Sequence, residues 1–306
     1  MKAARLPITG FFFIIAATLL LLGCQTEQTQ RKTEKRKQNL SSADADESTT
    51  DSSHFQPLIS EFIPESSLLL EKLLEYPTQL QDANELLQKK PVGETARLSL
   101  AAALACRLHL ALLQQNKSQA LVYQKALQSY AKDLQLEFLY PITDASIEDT
   151  PIDSLLTLSR KALDQEQAQH FLLNHYHSPY PAIRYVLSMW LEQLYLNCLI
   201  FEHHPKATLK KHLAEQKIYL GSLMMYLSFY DQNQKIQRLY KQLEKLMQAF
   251  EPITITYEYR KPTTEVKGNV LVVKQNDLMS FRVQEGDIIH ISETVEKVRN
   301  YLLQQP

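Results

Sequence analysis

Few side chains in this 306-residue sequence are arranged in a way that suggests chemistry. His212 and Glu215 form an H-x-x-E on one helical segment. That spacing puts an imidazole and a carboxylate on neighbouring positions of one face, the i, i+3 pairing that bundle metalloproteins use. A di-metal site needs matching ligands from other helices. The chain offers Glu192 and a scatter of His170, His175, His177, His203 and His204, but no second Glu-x-x-His. His212 and Glu215 are therefore weak metal candidates, and neither a metal nor a cofactor is expected. Glu192 stands in a segment that is otherwise apolar all round, so its carboxylate should be buried and in need of a cationic or hydrogen-bonding partner. Two uses are open to it: a ligand or acid/base group in a bundle pocket, or a structural acceptor that fixes the register of a neighbouring helix. The structural use is the expected one. Gln216 falls on the Leu209, Leu213, Leu220 stripe and reads as a buried amide pinned by hydrogen bonds. His109 lies with the apolar face of its helix and reads as a hydrogen-bonded core histidine.

Other chemistries find little to build on. The sequence holds 6 Gly with no G-x-G among them, so the Gly-rich phosphate cradles of nucleotide enzymes are missing. HExxH, CxxC and GxSxG are absent as well, and no Ser, Cys or Thr has a local nucleophile context. With 33 basic against 34 acidic residues and a formal net charge of -1, the chain lacks the basic excess that nucleic-acid binding needs. Beyond Cys24, the cysteines are Cys106 and Cys198, each in an apolar helical segment where a small buried thiol is the default. Whether they pair is left open by sequence.

The elements that would position these residues are mostly helices. Residues 94–115 form an Ala-rich helix whose face runs through Leu98, Ala101, Ala102, Ala105, Leu108 and Leu112. Ser118 can cap the next helix, which carries Ala120, Tyr123, Leu127 and Ala131. Residues 153–175 read as one long helix, and Ser178-Pro179-Tyr180-Pro181 then forces a turn. Residues 182–202 are apolar nearly all round and should be the central helix. From Ile236 to Phe250 apolar residues recur at offsets 0, 3, 4, 7, 10, 11 and 14, the cleanest helical spacing in the chain. After it Ile253, Ile255, Tyr257 and Tyr259 alternate with polar residues, which predicts a strand with one buried face and a hairpin over about 252–283, bulged near Asn276 and Asp277. A terminal helix capped by Asp287 closes the chain. The expected fold is mainly α: a multi-helix bundle with a C-terminal β-hairpin and a terminal helix, in a single domain over residues 54–306.

The start of the chain carries an address. Lys2 and Arg5 precede a 12-residue apolar run, residues 11–22, that ends in Leu21-Leu22-Gly23-Cys24. The run is shorter than the roughly 20 residues that span a bilayer, so residues 1–23 read as a cleaved export signal. Its end resembles the lipobox of bacterial lipoproteins. That resemblance implies cleavage before Cys24 and lipidation of its thiol, and several acyl chains give stable anchoring. Gln25 after the Cys favours the outer membrane. Residues 24–53 are polar and charged around a single large apolar residue, Leu40, and are expected to serve as a disordered tether.

Three segments, Trp190-Leu191-Glu192-Gln193-Leu194-Tyr195-Leu196, Ala214-Glu215-Gln216-Lys217 and Ile255-Thr256-Tyr257-Glu258-Tyr259, together with Val298-Arg299-Asn300, carry a further resemblance. In them residues 62–304 resemble a functionally uncharacterised family of exported helical lipoproteins of Bacteroidota-type bacteria. It implies a helical fold and brings no activity. The expectation is a lipid-anchored, non-enzymatic interaction module of the cell envelope that takes an envelope protein as partner and binds no nucleic acid. The alternative is a small-ligand or metal-binding envelope protein with a site where Glu192, His212 and Glu215 converge.

Overall fold

The computed structural model describes residues 58–76, 83–268 and 270–305. The chain divides between His54 and Phe55 into two units, and all the described residues belong to the second, Phe55–Pro306. The signal segment, Cys24 and the tether lie outside the described residues. Within them the fold is mainly α with a β region near the C-terminus, as expected. The helices are α1 (Ser66–Glu71), α2 (Ala83–Gln88), α3 (Glu94–Leu113), α4 (Lys117–Asp133), α5 (Asp144–Asp149), α6 (Ile152–Ala162), α7 (Gln165–Tyr176), α8 (Pro179–His203), α9 (Ala207–Ser228) and α10 (Gln234–Phe250). Four strands follow, β1 (Thr254–Glu258), β2 (Thr263–Lys267), β3 (Val270–Lys274) and β4 (Leu278–Arg282), and then the terminal helix α11 (Glu285–Gln304).

Helix α8 is the axis of the bundle. Its first helical position is Pro179, whose missing N–H costs nothing there, and the helix is buried without interruption from Tyr180 to Cys198. α3, α7, α9 and α11 surround it. α3 is apolar and long enough to cross a membrane by length and composition, yet 89% of that stretch is buried inside the protein, which makes it a core helix. Its small residues Ala101, Ala102, Ala103 and Ala105 are all buried, as suits close approach by neighbouring helices. Arg184 on α8 fastens the end of the chain: its Nη2 donates to the carbonyls of Leu302 and Gln305, while Nε reaches Ser99 Oγ (2.9 Å) and Nη1 reaches Tyr180 Oη (2.6 Å). A guanidinium at the C-terminal carbonyls of α11 satisfies groups that a helix end leaves without partners.

Local capping moves several helix boundaries. The helix expected over residues 153–175 is two, because the Asp164 carboxylate accepts the N–H of Gln167 (2.9 Å) and starts α7 anew, while Leu163 turns into the core at the break. Asn116, not Ser118, caps α4, through the N–H of Gln119 (3.0 Å). Gln284 is the N-cap of α11. Asp287 sits three residues on and accepts the Gln284 N–H (2.7 Å), so it is the second half of a capping box rather than the cap.

The expected hairpin is a longer, jointed arm. β1 pairs with β4 and β2 with β3, both antiparallel, in two separate ladders. Gly268, at φ +63, opens the two-residue connection between β2 and β3, where a hairpin turn requires a positive φ. Residues 259–262 run against residues 275–277, so the extra residue of the bulge lies opposite Asn276 and Asp277, not on them. Those two side chains staple the joint. Asp277 Oδ1 accepts the Arg260 N–H (2.9 Å), and Asn276 Nδ2 donates to the Lys261 carbonyl (2.9 Å). The expected buried face of β1 is real only at the root. Ile253 is buried and Ile255 and Phe281 lean on the core, but Tyr259 is 68% exposed, because a two-stranded ribbon has nothing packed over it beyond its first pairs.

Candidate functional site

Glu192 projects from α8 between two arginines. Its Oε1 accepts from Arg107 Nε on α3 (2.6 Å) and its Oε2 from Arg299 Nε on α11 (2.5 Å). The carboxylate is fully buried and each arginine side chain is 2% exposed. The Tyr195 ring lies under both guanidiniums, with Arg299 Cζ 4.2 Å and Arg107 Cζ 5.9 Å from its centroid. Burial pushes the Glu192 carboxyl up, and Arg299 and Arg107 more than reverse this, so it is held below the usual carboxylate range. Arg299 also reaches Glu85 on α2 through Nη1 (3.2 Å), and Lys89 bridges Glu85 (2.8 Å) to Asn300 (3.0 Å). Such a carboxylate is ionised with both oxygens occupied, so it neither gives nor takes a proton near neutral pH. What it does is join helices far apart in sequence, at separations of 85 and 107 residues.

The other sequence candidates fall on the opposite side of α8. Trp190 donates through Nε1 to Gln216 Oε1 (3.0 Å), and Gln216 Nε2 reaches the His212 carbonyl (3.4 Å), so the buried amide is pinned as expected. Trp190 precedes Glu192 by two positions, roughly 200° around a helix, which turns Glu192 away from α9. His212 Nδ1 meets Glu215 Oε2 at 3.2 Å. Burial lowers the imidazole pKa, with Lys72 adding to it and Glu215 opposing. Among the described residues no group of three or more His, Cys, Asp and Glu is placed to hold a metal. The convergence of Glu192, His212 and Glu215 that the alternative reading needs does not occur. His109 Nδ1 shares a hydrogen bond with Ser159 Oγ (2.7 Å), and burial, with Arg160 nearby, pushes its pKa down to about 4. Cys106 and Cys198 are free and buried, with thiol pKa values raised by burial, so neither is a reactive thiolate.

The β-arm is the opposite kind of surface. Of eighteen large hydrophobic side chains exposed among the described residues, nine lie between Tyr257 and Met279. The distal ladder is the most uneven part of it. β3 reads Val-Leu-Val-Val-Lys and β2 reads Thr-Thr-Glu-Val-Lys, so one edge of the ribbon is aliphatic and the other polar. Leu271 is 63% exposed and Val273 51%. Lys217 on α9 ties the root down by donating to the carbonyls of Ile253 (2.7 Å) and Glu251 (3.1 Å).

No protein-family model, curated protein or solved structure matches this chain. Sequence reasoning identified Glu192, its burial and its need for a cation, but it did not name Arg107 or Arg299 as the partners. The signal was there: each arginine interrupts an apolar helical stripe, Arg107 beside Cys106 and Leu108 and Arg299 between Val298 and Leu302. A buried arginine needs an acceptor as much as a buried glutamate needs a donor. The exposure of the arm was missed for another reason. Period-two alternation says which residues share a face, not whether anything covers that face.

Proposed function

We propose that this chain is a lipid-anchored bacterial envelope protein that works by contact and not by catalysis, with the β-arm as its contact element. The supports for the address are the basic start, the 12-residue apolar run and the Gly23-Cys24 junction, with Gln25 favouring the outer membrane. Cys24 carries the lipid, and the polar residues after it give the folded unit reach. The resemblance to exported helical lipoproteins supports the same address.

One observation carries the contact reading: nine of the eighteen exposed large hydrophobic side chains among the described residues lie on one short jointed ribbon, while the other nine are scattered over the much longer helical body. Exposed apolar patches of this kind mark interaction sites on soluble domains. Of the ionisable residues that first suggested chemistry, Glu192 is bound by two arginines and His212 pairs with Glu215 on its own helix.

A photo-activatable side chain placed at Leu271 in the full-length protein, irradiated in the native envelope, tests this. The expected result is a discrete adduct from position 271 and none from Val122, an exposed position on α4. Equal labelling from both positions, or none from 271, would overturn the assignment of the arm.

A further inference from the structure

Resting on the reading of the arm as the contact element, we infer that what it meets is the anionic surface of a lipid bilayer, on which the distal ribbon lies along its β3 edge. The first argument is how the apolar side chains are distributed. Val270 and Val272 point to one face of the ribbon, and Leu271 and Val273 to the other with Val266, the cross-strand partner of Leu271. All five are exposed. A partner docked on one face would leave the other in water. A lipid interface entered edge-on receives the β3 side chains of both faces at once, while β2, polar apart from Val266, stays above it.

The second argument is the flanking chemistry. Lys274 ends β3, and Lys261 and Arg282 follow on the joint and the proximal ladder, where long cationic side chains keep their charge in the headgroup layer while their stems lie among acyl chains. Tyr257 and Tyr259, both exposed, stand at the level where amphipathic rings favour a membrane boundary. Over residues 254–282 five basic side chains oppose three acidic ones, a net charge of +2 in a chain whose total is -1. The arm thus carries a small net positive charge beside its aliphatic edge, which matches an anionic surface. The outer edge of β3 carries backbone groups without ladder partners, so the ribbon stops at the hydrated interface and does not cross the hydrocarbon. A lipid at Cys24 would tether the folded unit to the bilayer by a chain that spans at most roughly 120 Å, which raises the arm's local concentration at that surface.

The test uses the full mature chain with Cys24→Ser, so that no acyl group contributes, and vesicles of phosphatidylcholine with or without 30% phosphatidylglycerol. The chain's one tryptophan, Trp190, is fully buried, so a Leu271→Trp substitution supplies a distinct reporter. Expected are a blue shift and quenching by brominated lipid on anionic vesicles. Binding should fall about fivefold for Lys274→Gln, the loss of one cation at the surface. Val272→Asp with Val273→Asp, which charges both faces, should weaken it by roughly tenfold or more. Equal binding to neutral and anionic vesicles, or none to either, would overturn the inference. A protein adduct from position 271 in the envelope, without vesicle binding, would replace lipid by a protein strand as the partner and leave the contact reading standing. With no adduct and no vesicle binding, both readings fall.

Discussion

At the centre of the bundle three charged side chains are buried among aliphatic ones, whereas on the β-arm aliphatic side chains stand in water. Each arrangement is costly by itself. The difference lies in what offsets the cost. Glu192 accepts from Arg107 and Arg299 inside the protein, so the buried charges are balanced within the chain and join α3, α8 and α11, although Arg107 Nη1 and Nη2 and Arg299 Nη2 are buried without a hydrogen-bond partner among the described residues. Nothing within the described residues covers Leu271 or Val273, so whatever offsets their exposure must come from outside. The first region therefore bears on stability and the second is the contact surface proposed above, and substitutions should separate them.

The largest effect is expected at Glu192. Glu192→Gln leaves two buried guanidiniums facing a neutral amide and should cost about 3–5 kcal/mol, read as a lower urea midpoint for the full chain. Replacing all three groups together, Arg107→Met, Glu192→Leu and Arg299→Met, should cost less than that single change, since no uncompensated charge is left behind. A Glu192→Gln protein within 1 kcal/mol of the parent would show that the triad does not hold the helices in register.

How much of this could be read from sequence depended on whether the relevant forces act locally. The periodicity of Ile236 to Phe250 gave α10 almost to the residue and the all-apolar run around Trp190 gave the body of α8, because the 3.6-residue repeat and burial on all sides are written along a single helix. Pro179-Tyr180-Pro181, expected to turn the chain, form the first turn of α8 instead. The break at Asp164 was not legible. One carboxylate competes there with an intact helical pattern, and the choice is settled by where Leu163 finds space in the core. At the candidate site, Glu192 and Gln216 were recognisable as polar residues on apolar stripes. Their partners were not, since Arg299 is 107 residues away from Glu192 and only the fold brings them together. The bulge of the arm was located to its neighbourhood but assigned to the wrong strand, because Asn276 and Asp277 have turn chemistry and here serve as staples for the segment opposite.

A smaller, pH-dependent effect is expected at His109. Its folded pKa of about 4 lies below the 6.5 of an ordinary imidazole, with burial the main cause. Between those values the unfolded chain binds a proton that the folded chain does not. The stabilisation is therefore fully present above about pH 6.5 and is lost as pH falls toward 4, by up to about 3 kcal/mol. Glu192, held below the ordinary carboxylate value of 4.5, adds a further loss that begins only as pH falls below that value. Urea unfolding at pH 7, 5.5 and 4 should show this slope in the parent protein and a flatter one in His109→Gln. Parallel curves would mean that His109 does not govern it.

The smallest effect on stability is expected on the arm, and it tests the comparison most directly. Leu271→Asp and Val273→Asp remove aliphatic surface that is already in water, make no cavity and leave the β2–β3 ladder intact, so each should shift unfolding by no more than about 0.5 kcal/mol. A polar residue at such a position can even help, since an uncovered aliphatic edge favours aggregation. If Leu271→Asp instead destabilised the protein by 2 kcal/mol or more, the side chain would belong to a packed surface and the arm would be part of the body. Unchanged stability together with loss of the adduct from position 271 is the outcome in which fold and contact are carried by different residues, with the helices holding their charges inside so that the arm can keep its apolar edge outside.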